Sequence, residues 1–556
     1  MIRYYLCILI TCITSITCLA QELEVASVYN PVQENDTLTQ VKNMLAQEND
    51  TIRTDSLQDF QDKYDNNRFK RGRQFLHNDT VWKDYAMGTR VHLQRLTDTD
   101  TLVTIRKNDI KPILESLAIN FGVWGYDHFF KGADWADVNA HTIHHNLRCK
   151  WILDHDSYSG NQFSHPYHGS MFYNAARYHG HDYYTSALYP LIGSCVWEYF
   201  CETNEPSYND FLSTGIGGSA IGEMTHRVSD LVFDNSKTGV RRIFREIVGS
   251  FINPSRGFHR LFSGEMWRVS PSRGKRVTPE PFSLDVGIGN RYMREMRRQK
   301  RQKNVAYIDF AMNYGEHFDG KDHHQPFDFF RLYAQLNLSN EDPTFSDIDI
   351  RGRIATKQFQ SHNDWKFDLG LYQVFKYVDN YGENGKSKSR MNAGDFAFIN
   401  EACSFAGGLY MEKVHRGVSF SNDFMLDAIA FGGNTADYFS KRTYNYASGF
   451  SLRNEIRFCV NNRMVIGDDF YFVRMYMFKG NEPMKPDTPV EYSKWAWGDK
   501  GNCSIYQNRA YLQFFLKHNL KLNAEHKLFY RRSNYASFDN VHAKSFELRF
   551  GIIYAI

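Results

Sequence analysis

The feature that most constrains this chain is a change in the period of its apolar residues near Pro281. Upstream, apolar positions recur at helical spacing; downstream they alternate, the pattern of strands with one apolar and one polar face. In the segment from Phe450 to Val460, Phe450, Leu452, Ile456, Phe458 and Val460 share one face, and Ser451, Arg453, Glu455, Arg457 and Cys459 share the other. The last residues repeat this, with Phe546, Leu548, Phe550, Ile552, Tyr554 and Ile556 opposite Glu547 and Arg549. Phe330, Leu332, Ala334, Leu336 and Leu338 alternate with Arg331, Gln335 and Asn337. A soluble sandwich would alternate in the same way.

Two further features favour a membrane barrel. Strands near residues 283, 304, 327, 345, 364, 396, 417, 448, 463, 505, 520 and 544 give about twelve, an even number as in outer-membrane barrels. Long connections containing Asn380 to Gly394, Asn434 to Tyr444 and Gly480 to Asn502 alternate with short turns at Asn363, Asn461-Asn462 and His518-Asn519. Short periplasmic turns and long external loops produce that alternation. The expected fold class is α+β multi-domain: an all-α helical domain, then an antiparallel transmembrane β-barrel of about 12 strands over 281–556.

The first twenty residues carry Arg3, an apolar run and a small-residue boundary at Ala20, which reads as a cleaved secretory signal. Residues 21–110 read as a disordered periplasmic linker with a short hairpin near Asp98 to Asp100. Aromatic content is 15%, and no later segment has the length and uniform apolarity of a spanning helix. A net charge of +3 gives no reason to expect nucleic acid as a partner. Cys149, Cys195, Cys201, Cys403, Cys459 and Cys503 match no zinc motif and are too sparse for a disulfide framework.

In the helical domain, expected over 111–270, Pro112 suits a first helical turn, and a second helical pattern lies near Trp135 to Ile152. Ser164 and Pro166 open a third helix, and Pro190 kinks or divides the next, over Tyr183 to Cys201. Ser207 and Asp210 have capping-box spacing. Thr214, Gly218 and Gly222 form a small-residue stripe that admits a close helical neighbour. A basic helix with Arg241, Arg242 and Arg245 stops at Asn253-Pro254.

The segments WILDHDSYSGNQFSHPYHGSMFYNAAR, GSCVWEYFCE, PSYNDF, GGSAIGEMTHRVSD and NPSRGFHRL, together with FGGNTADYFSKRTYNYASG and LFYRRSNYASF, resemble an uncharacterised Gram-negative outer-membrane family, domain of unknown function 3943. The resemblance runs from about Lys111 to Ile556 and implies a signal peptide, a helical domain and a barrel, with no established activity. A fainter similarity to VanZ-like and YfiM-like helical groups rests on the His, Glu, Asp and Gly pattern.

The residues that carry chemistry are Asp154, Asp156, His165, His168, Arg177, Glu198, Glu202, Asp210, Glu223 and Arg227. Three readings of them stand open. In a structural network, Arg177 and Arg227 neutralise Glu198, Glu202 and Glu223. In an acid–base site, His165 is the base, Glu198 orients it and Arg177 holds an anionic lipid headgroup. In a divalent metal site, His165, His168, Glu198 or Glu202 are ligands, although no HExxH-type spacing supports it. No cofactor is specified. The expected partners are outer-membrane lipid, including lipopolysaccharide, or a periplasmic protein. The leading expectation is an envelope-maintenance or binding role, with an envelope-lipid enzyme or a narrow pore as alternatives. The helical domain is expected beneath the barrel or against the inner leaflet, because twelve strands leave a narrow lumen.

Overall fold

The computed structural model describes residues 102–103, 105–296, 302–339, 342–380, 398–481, 494–517 and 519–556. The expected signal and most of the 21–110 linker with its hairpin lie outside these residues; the end of that linker is ordered, not disordered as expected, with Val103 N–H donating to the Lys275 carbonyl at 2.8 Å and Asn108 N–H to the His179 carbonyl at 3.1 Å. Nine α-helices occur among the described residues: α1 (Lys111–Tyr126), α2 (Ala140–Asn146), α3 (His165–Tyr178), α4 (Tyr183–Ser186), α5 (Tyr189–Phe200), α6 (Tyr208–Leu212), α7 (Gly218–Val232), α8 (Gly239–Ile252) and α9 (Pro254–Phe262). The second helical pattern yields only the short α2, capped by Asn139 and Thr142. Pro190 divides rather than kinks its segment, separating α4 from α5.

Twelve antiparallel strands follow and close into a barrel, each pairing with its sequence neighbours and β1 with β12. They are β1 (Phe282–Glu295), β2 (Gln302–Tyr314), β3 (Phe330–Asn337), β4 (Phe345–Gln360), β5 (Lys366–Asp379), β6 (Phe398–His415), β7 (Val418–Thr435), β8 (Tyr444–Val460), β9 (Met464–Met477), β10 (Gly501–Lys517), β11 (Leu520–Tyr535) and β12 (Val541–Ala555). The alternation places Leu369, Leu371, Phe405, Leu426, Phe450, Ile466, Phe514, Phe550 and Ile552 outward and exposed. An apolar outer band on a closed sheet is the requirement for a strand protein in a bilayer.

The polar faces meet across the lumen. Arg331 on β3 donates to Asp423 on β7 at 2.9 Å and to Glu455 on β8 at 2.9 Å. Arg453 on β8 reaches Asp349 on β4 at 2.7 Å and Asp427 on β7 at 2.9 Å, and also pairs with Glu401 on β6. The connection from Gly315 to Phe329 folds back into the same interior, where the His317 ring stacks on Tyr410 at 3.9 Å. Ion pairs and a returning loop therefore fill much of the space a pore would use.

The helical domain does not lie beneath the barrel; it packs on the outer wall. Lumen pairs fix which face of each strand points in, and the residues touching the helices have the opposite parity. On β5, Lys376 faces inward to Asp349, whereas Gln373, Phe375 and Tyr377 face out. Gln373 donates to the Ile216 carbonyl at 3.0 Å and to Ser219 at 2.9 Å, and accepts from Tyr183 at 2.5 Å. Phe282, Tyr314 and Phe330, at the short-turn end of β1 to β3, join one core with Tyr173, Ile221 and Met224 of the helices. Tyr377, Phe398, Tyr444 and Tyr446, at the long-loop end of β5, β6 and β8, join the same core. The helices thus cover the wall obliquely from one end to the other. Outward polar groups such as Gln373 and Tyr446 would be unpaired in hydrocarbon, and the helices satisfy them.

Candidate functional site

The small-residue stripe brings α3 and α7 into contact and so positions most of the candidate residues. A Cβ on Gly218 would lie 2.7 Å from the Gly169 Cα, and one on Gly169 would lie 2.0 Å from the Thr214 carbonyl oxygen. Only glycines permit that approach. Its result is two separate polar clusters rather than the single one expected.

The first cluster is an ion-pair core in the lower part of the bundle. Glu223 on α7 accepts from Arg177 Nε at 2.8 Å, Arg227 Nε at 2.9 Å and the Tyr173 hydroxyl at 2.7 Å. Burial opposes the charged form of Glu223, but the two guanidiniums override it and hold its pKa below the usual range. Arg227 also donates to the Pro326 carbonyl at 2.7 Å, tying the helix to the barrel's returning loop. Arg177 is committed here and to the His181 carbonyl, so it does not join His165 and Glu198 as the acid–base reading required.

The second cluster, at the start of α3, is acidic. Glu198 is fully buried; its Oε2 accepts from the Ser207 backbone N–H at 2.8 Å, and its Oε1 has no hydrogen-bond partner among the described residues. Glu202 accepts from Trp197 Nε1 at 3.1 Å. Asp210 accepts from the Ser207 hydroxyl and from Asn209 Nδ2, the latter at 2.8 Å, and its Oδ1 lies 3.6 Å from His165 Nε2. The capping expectation is therefore half met: Ser207 accepts from the Asp210 N–H, but its own N–H goes to Glu198. Burial raises the Glu198 pKa to about 8, with the charges of Asp154 and Asp156 adding to the effect. Burial likewise pushes Glu202 and Asp210 well above the carboxylate range. It also depresses His165, so burial favours the neutral form of the imidazole and of the carboxyl groups alike.

His168 takes a different place from His165. Its ring lies against Phe172 at 4.6 Å and edge-on to Trp197 at 5.2 Å, and burial lowers its pKa to about 3. It is a packed core histidine.

Residues that sequence reasoning left out complete the acidic cluster. Asp154 Oδ1 accepts from Asn161 Nδ2 at 2.5 Å, Asn209 Nδ2 at 2.7 Å and the Tyr446 hydroxyl at 3.2 Å. Asn161 also reaches the Tyr444 hydroxyl at 2.7 Å, and Arg442 donates to the Asp154 carbonyl at 2.8 Å. Asn161 and Asn209 stand inside the quoted segments NQFSHPYHG and PSYNDF, and Arg442, Tyr444 and Tyr446 inside KRTYNYASG. Their signal was present, but nothing local says that a strand tyrosine some 290 positions downstream meets Asp154. Asp156 is exposed beside the cluster, and His165 keeps 18% of its side-chain surface, so the site opens outward on that side.

Residues 150–255 match the family model for a domain of unknown function (DUF3943). The match covers the start of the acidic cluster through the end of α8, that is, the part of the helical domain docked on the wall. Tyr444 and Tyr446 lie outside it yet complete the cluster. A comparison with curated proteins gives no match. Among solved structures, the chain is similar to the NanC porin at 10% identity and a TM-score of 0.25, covering 49% of this chain and 98% of that one. It is also similar to the KdgM porin, at 10% identity, a TM-score of 0.20 and coverage of 48% and 98%. A third is the toluene transporter TodX of Pseudomonas putida, at 9% identity, a TM-score of 0.20 and coverage of 50% and 88%.

Proposed function

We propose that this protein is an outer-membrane lipid-binding protein whose barrel serves as a scaffold and whose helical domain lies in the bilayer against it. The observation that carries this reading is the reversed polarity of the helices. On α8, Arg242, Arg245 and Glu246 point inward, while Val240, Ile243, Ile247 and Phe251 are exposed. On α9, Arg256 and Arg260 are buried, and Phe258, Leu261 and Phe262 face out, Phe262 at 85% exposure. On α1, Ser116 and Asn120 are inside, with Ile113, Leu114 and Phe121 outside. Water-facing helices have the opposite arrangement. No described helix is long and apolar enough to cross a membrane alone, and the barrel wall supplies the support that each short helix lacks.

With the short turns on the periplasmic side, the acidic cluster lies towards the long loops and hence the outer leaflet. There Trp495 Nε1 donates to the Trp151 carbonyl at 3.1 Å, and Lys494 pairs with Glu205 at 2.5 Å. The fitting partner class is an outer-leaflet lipid, lipopolysaccharide included, its chains on the apolar helix faces and its polar part at the His165 opening.

An enzymatic version of this reading is favoured by one observation: His165 Nε2 lies 3.6 Å from Asp210 Oδ1 in the cluster that buries Glu198, which puts a proton acceptor and carboxyl donors together. The lumen's ion pairs and returning loop weigh against a pore.

Two measurements test the proposal. A spin label at Phe262→Cys is expected to be more accessible to oxygen than to a water-soluble nickel reagent in liposomes; the reverse would place the helices in water. Mass spectrometry of outer-membrane lipids then compares cells with the intact protein, without it, and with Glu198→Ala at matched protein level. A lipid species changed in both defective strains supports catalysis, and a change on deletion alone supports binding or scaffolding outside the acidic cluster.

A further inference from the structure

At the other end of α3, roughly 21 Å from His165 by helical rise, a second group of side chains converges that neither the acidic cluster nor the ion-pair core uses. Glu115 comes from α1, His179 from the residue just after α3, and His259 from α9. One ligand atom from each lies within 4.8 Å of the others. His259 Nδ1 is 2.7 Å from Glu115 Oε1, and His179 Nε2 is 3.2 Å from Glu115 Oε2. Despite that approach, Glu115 Oε2 and His179 Nε2 are buried atoms that complete no hydrogen bond among the described residues. His179 is 7% exposed, so its unpaired nitrogen has little access to bulk water.

The group adjoins a cavity of about 600 Å³, which His179 and His259 line together with Tyr178, Arg106, Lys111 and Arg276. The His259 ring is held against Tyr178 at 3.6 Å, and Tyr178 in turn donates to Glu265 at 2.9 Å. Three elements distant in sequence thus present two imidazoles and one carboxylate to a common point beside an open space.

We infer that Glu115, His179 and His259 form a divalent transition-metal site of the zinc type, with a further coordination position open to the cavity. Two imidazole nitrogens and one carboxylate oxygen are a donor set that zinc takes in open sites. Zinc bonds of about 2.0–2.1 Å place ligand atoms about 3.3 Å apart in a tetrahedron, so the three ligand atoms, which lie within 4.8 Å of one another, close on an ion by side-chain rotation. An ion at this point satisfies both orphaned atoms at once. Arg276 is paired with Glu265 of the same lining at 3.1 Å, and the further bases Arg106, Lys107 and Lys111 suit an anionic oxygen at the open position. The site is distinct from the acidic cluster and lies on the inner sides of α1 and α9, whatever covers their outer faces.

The test uses the full chain in detergent, chelated and then titrated with zinc alone. Its background carries His141→Ala, His144→Ala and His145→Ala, which removes the exposed histidines of α2 as adventitious ligands. The expected result is one zinc per chain, with a cobalt-substituted form showing a four- or five-coordinate ligand-field spectrum. Loss of an outer-shell partner alone costs zinc sites about 10–100-fold in affinity; His179→Ala, His259→Ala and the near-isosteric Glu115→Gln are therefore each expected to weaken binding at least about 10-fold. Glu198→Gln is expected to leave it unchanged. No zinc uptake by the background protein overturns the proposal, as does unchanged affinity in folded Glu115→Gln and histidine variants. If the histidine variants do not fold, Glu115→Gln and the cobalt spectrum decide, and an octahedral spectrum unaffected by Glu115→Gln overturns it.

Discussion

The barrel lumen and the helical domain both bury charge, but they do so under opposite rules. In the lumen, acids are matched by bases from other strands: Arg331 serves Asp423 and Glu455, and Arg453 serves Asp349, Asp427 and Glu401. The ion-pair core of the helices follows that rule, with Glu223 between Arg177 and Arg227. The acidic cluster does not: Glu198, Glu202 and Asp210 are buried with neutral donors and a depressed histidine. Matched charges cost little once both partners are in place, and removing one is expensive. Unmatched acids must instead stay protonated, which makes them proton donors. The difference separates the parts that hold the protein together from the part that can do chemistry.

The largest effect is expected in the lumen. Arg453→Ala takes the arginine from Glu401 and Asp427, while Asp349 keeps Lys376 and Arg351, and a loss of about 3–5 kcal/mol follows from breaking a buried pair. It would be read as a lowered temperature for the heat-modifiable gel shift; an unchanged shift would mean that water already screens the lumen. Glu223→Ala should cost a similar or slightly smaller amount, again about 3–5 kcal/mol. That loss should appear as helical unfolding by circular dichroism, with the barrel's gel migration retained. If both transitions move together, the two regions unfold as one unit.

The smallest change sharpens the contrast. The folded-state pKa of Glu198 is raised to about 8, so the folded protein holds a proton that the unfolded chain releases. Stability is then greatest below the ordinary carboxylate pKa of about 4.3, and it falls as pH rises towards 8. Glu198→Gln should flatten that slope and raise the helical midpoint at pH 8 by at least about 2–4 °C, the equivalent of about 1 kcal/mol. A variant that keeps the wild-type slope would show that Glu198 is charged in the fold. Glu223→Gln, by contrast, should destabilise at the same pH, because there the charge is matched.

Much of the architecture was legible in local pattern. A period of two locates strands without knowledge of their partners, since side chains alternate in any sheet. All twelve expected positions fall in or within three residues of an observed strand. Pro190, Asn253-Pro254 and the glycine stripe marked helix limits and a close packing face, because each acts through its own backbone geometry. The membership of the acidic cluster was partly legible as well: His165, Glu198, Glu202 and Asp210 do converge. Arg177 and Glu223 belong to the other cluster, and His168 belongs to the core.

What the sequence by itself determined was the sequence of elements, the two faces of each strand and the residue types available for chemistry. Only the tertiary structure decided that the helical domain lies on the barrel's outer wall. That placement depends on Gln373, Tyr377, Tyr444 and Tyr446, outward polar residues that alternation alone cannot distinguish from ordinary surface positions. It also decided which carboxylates received an arginine and which did not. Alternation and helical period are properties of neighbours along the chain, whereas charge matching and burial are set by contacts between residues such as Asp154 and Tyr446, which only the closed fold brings together.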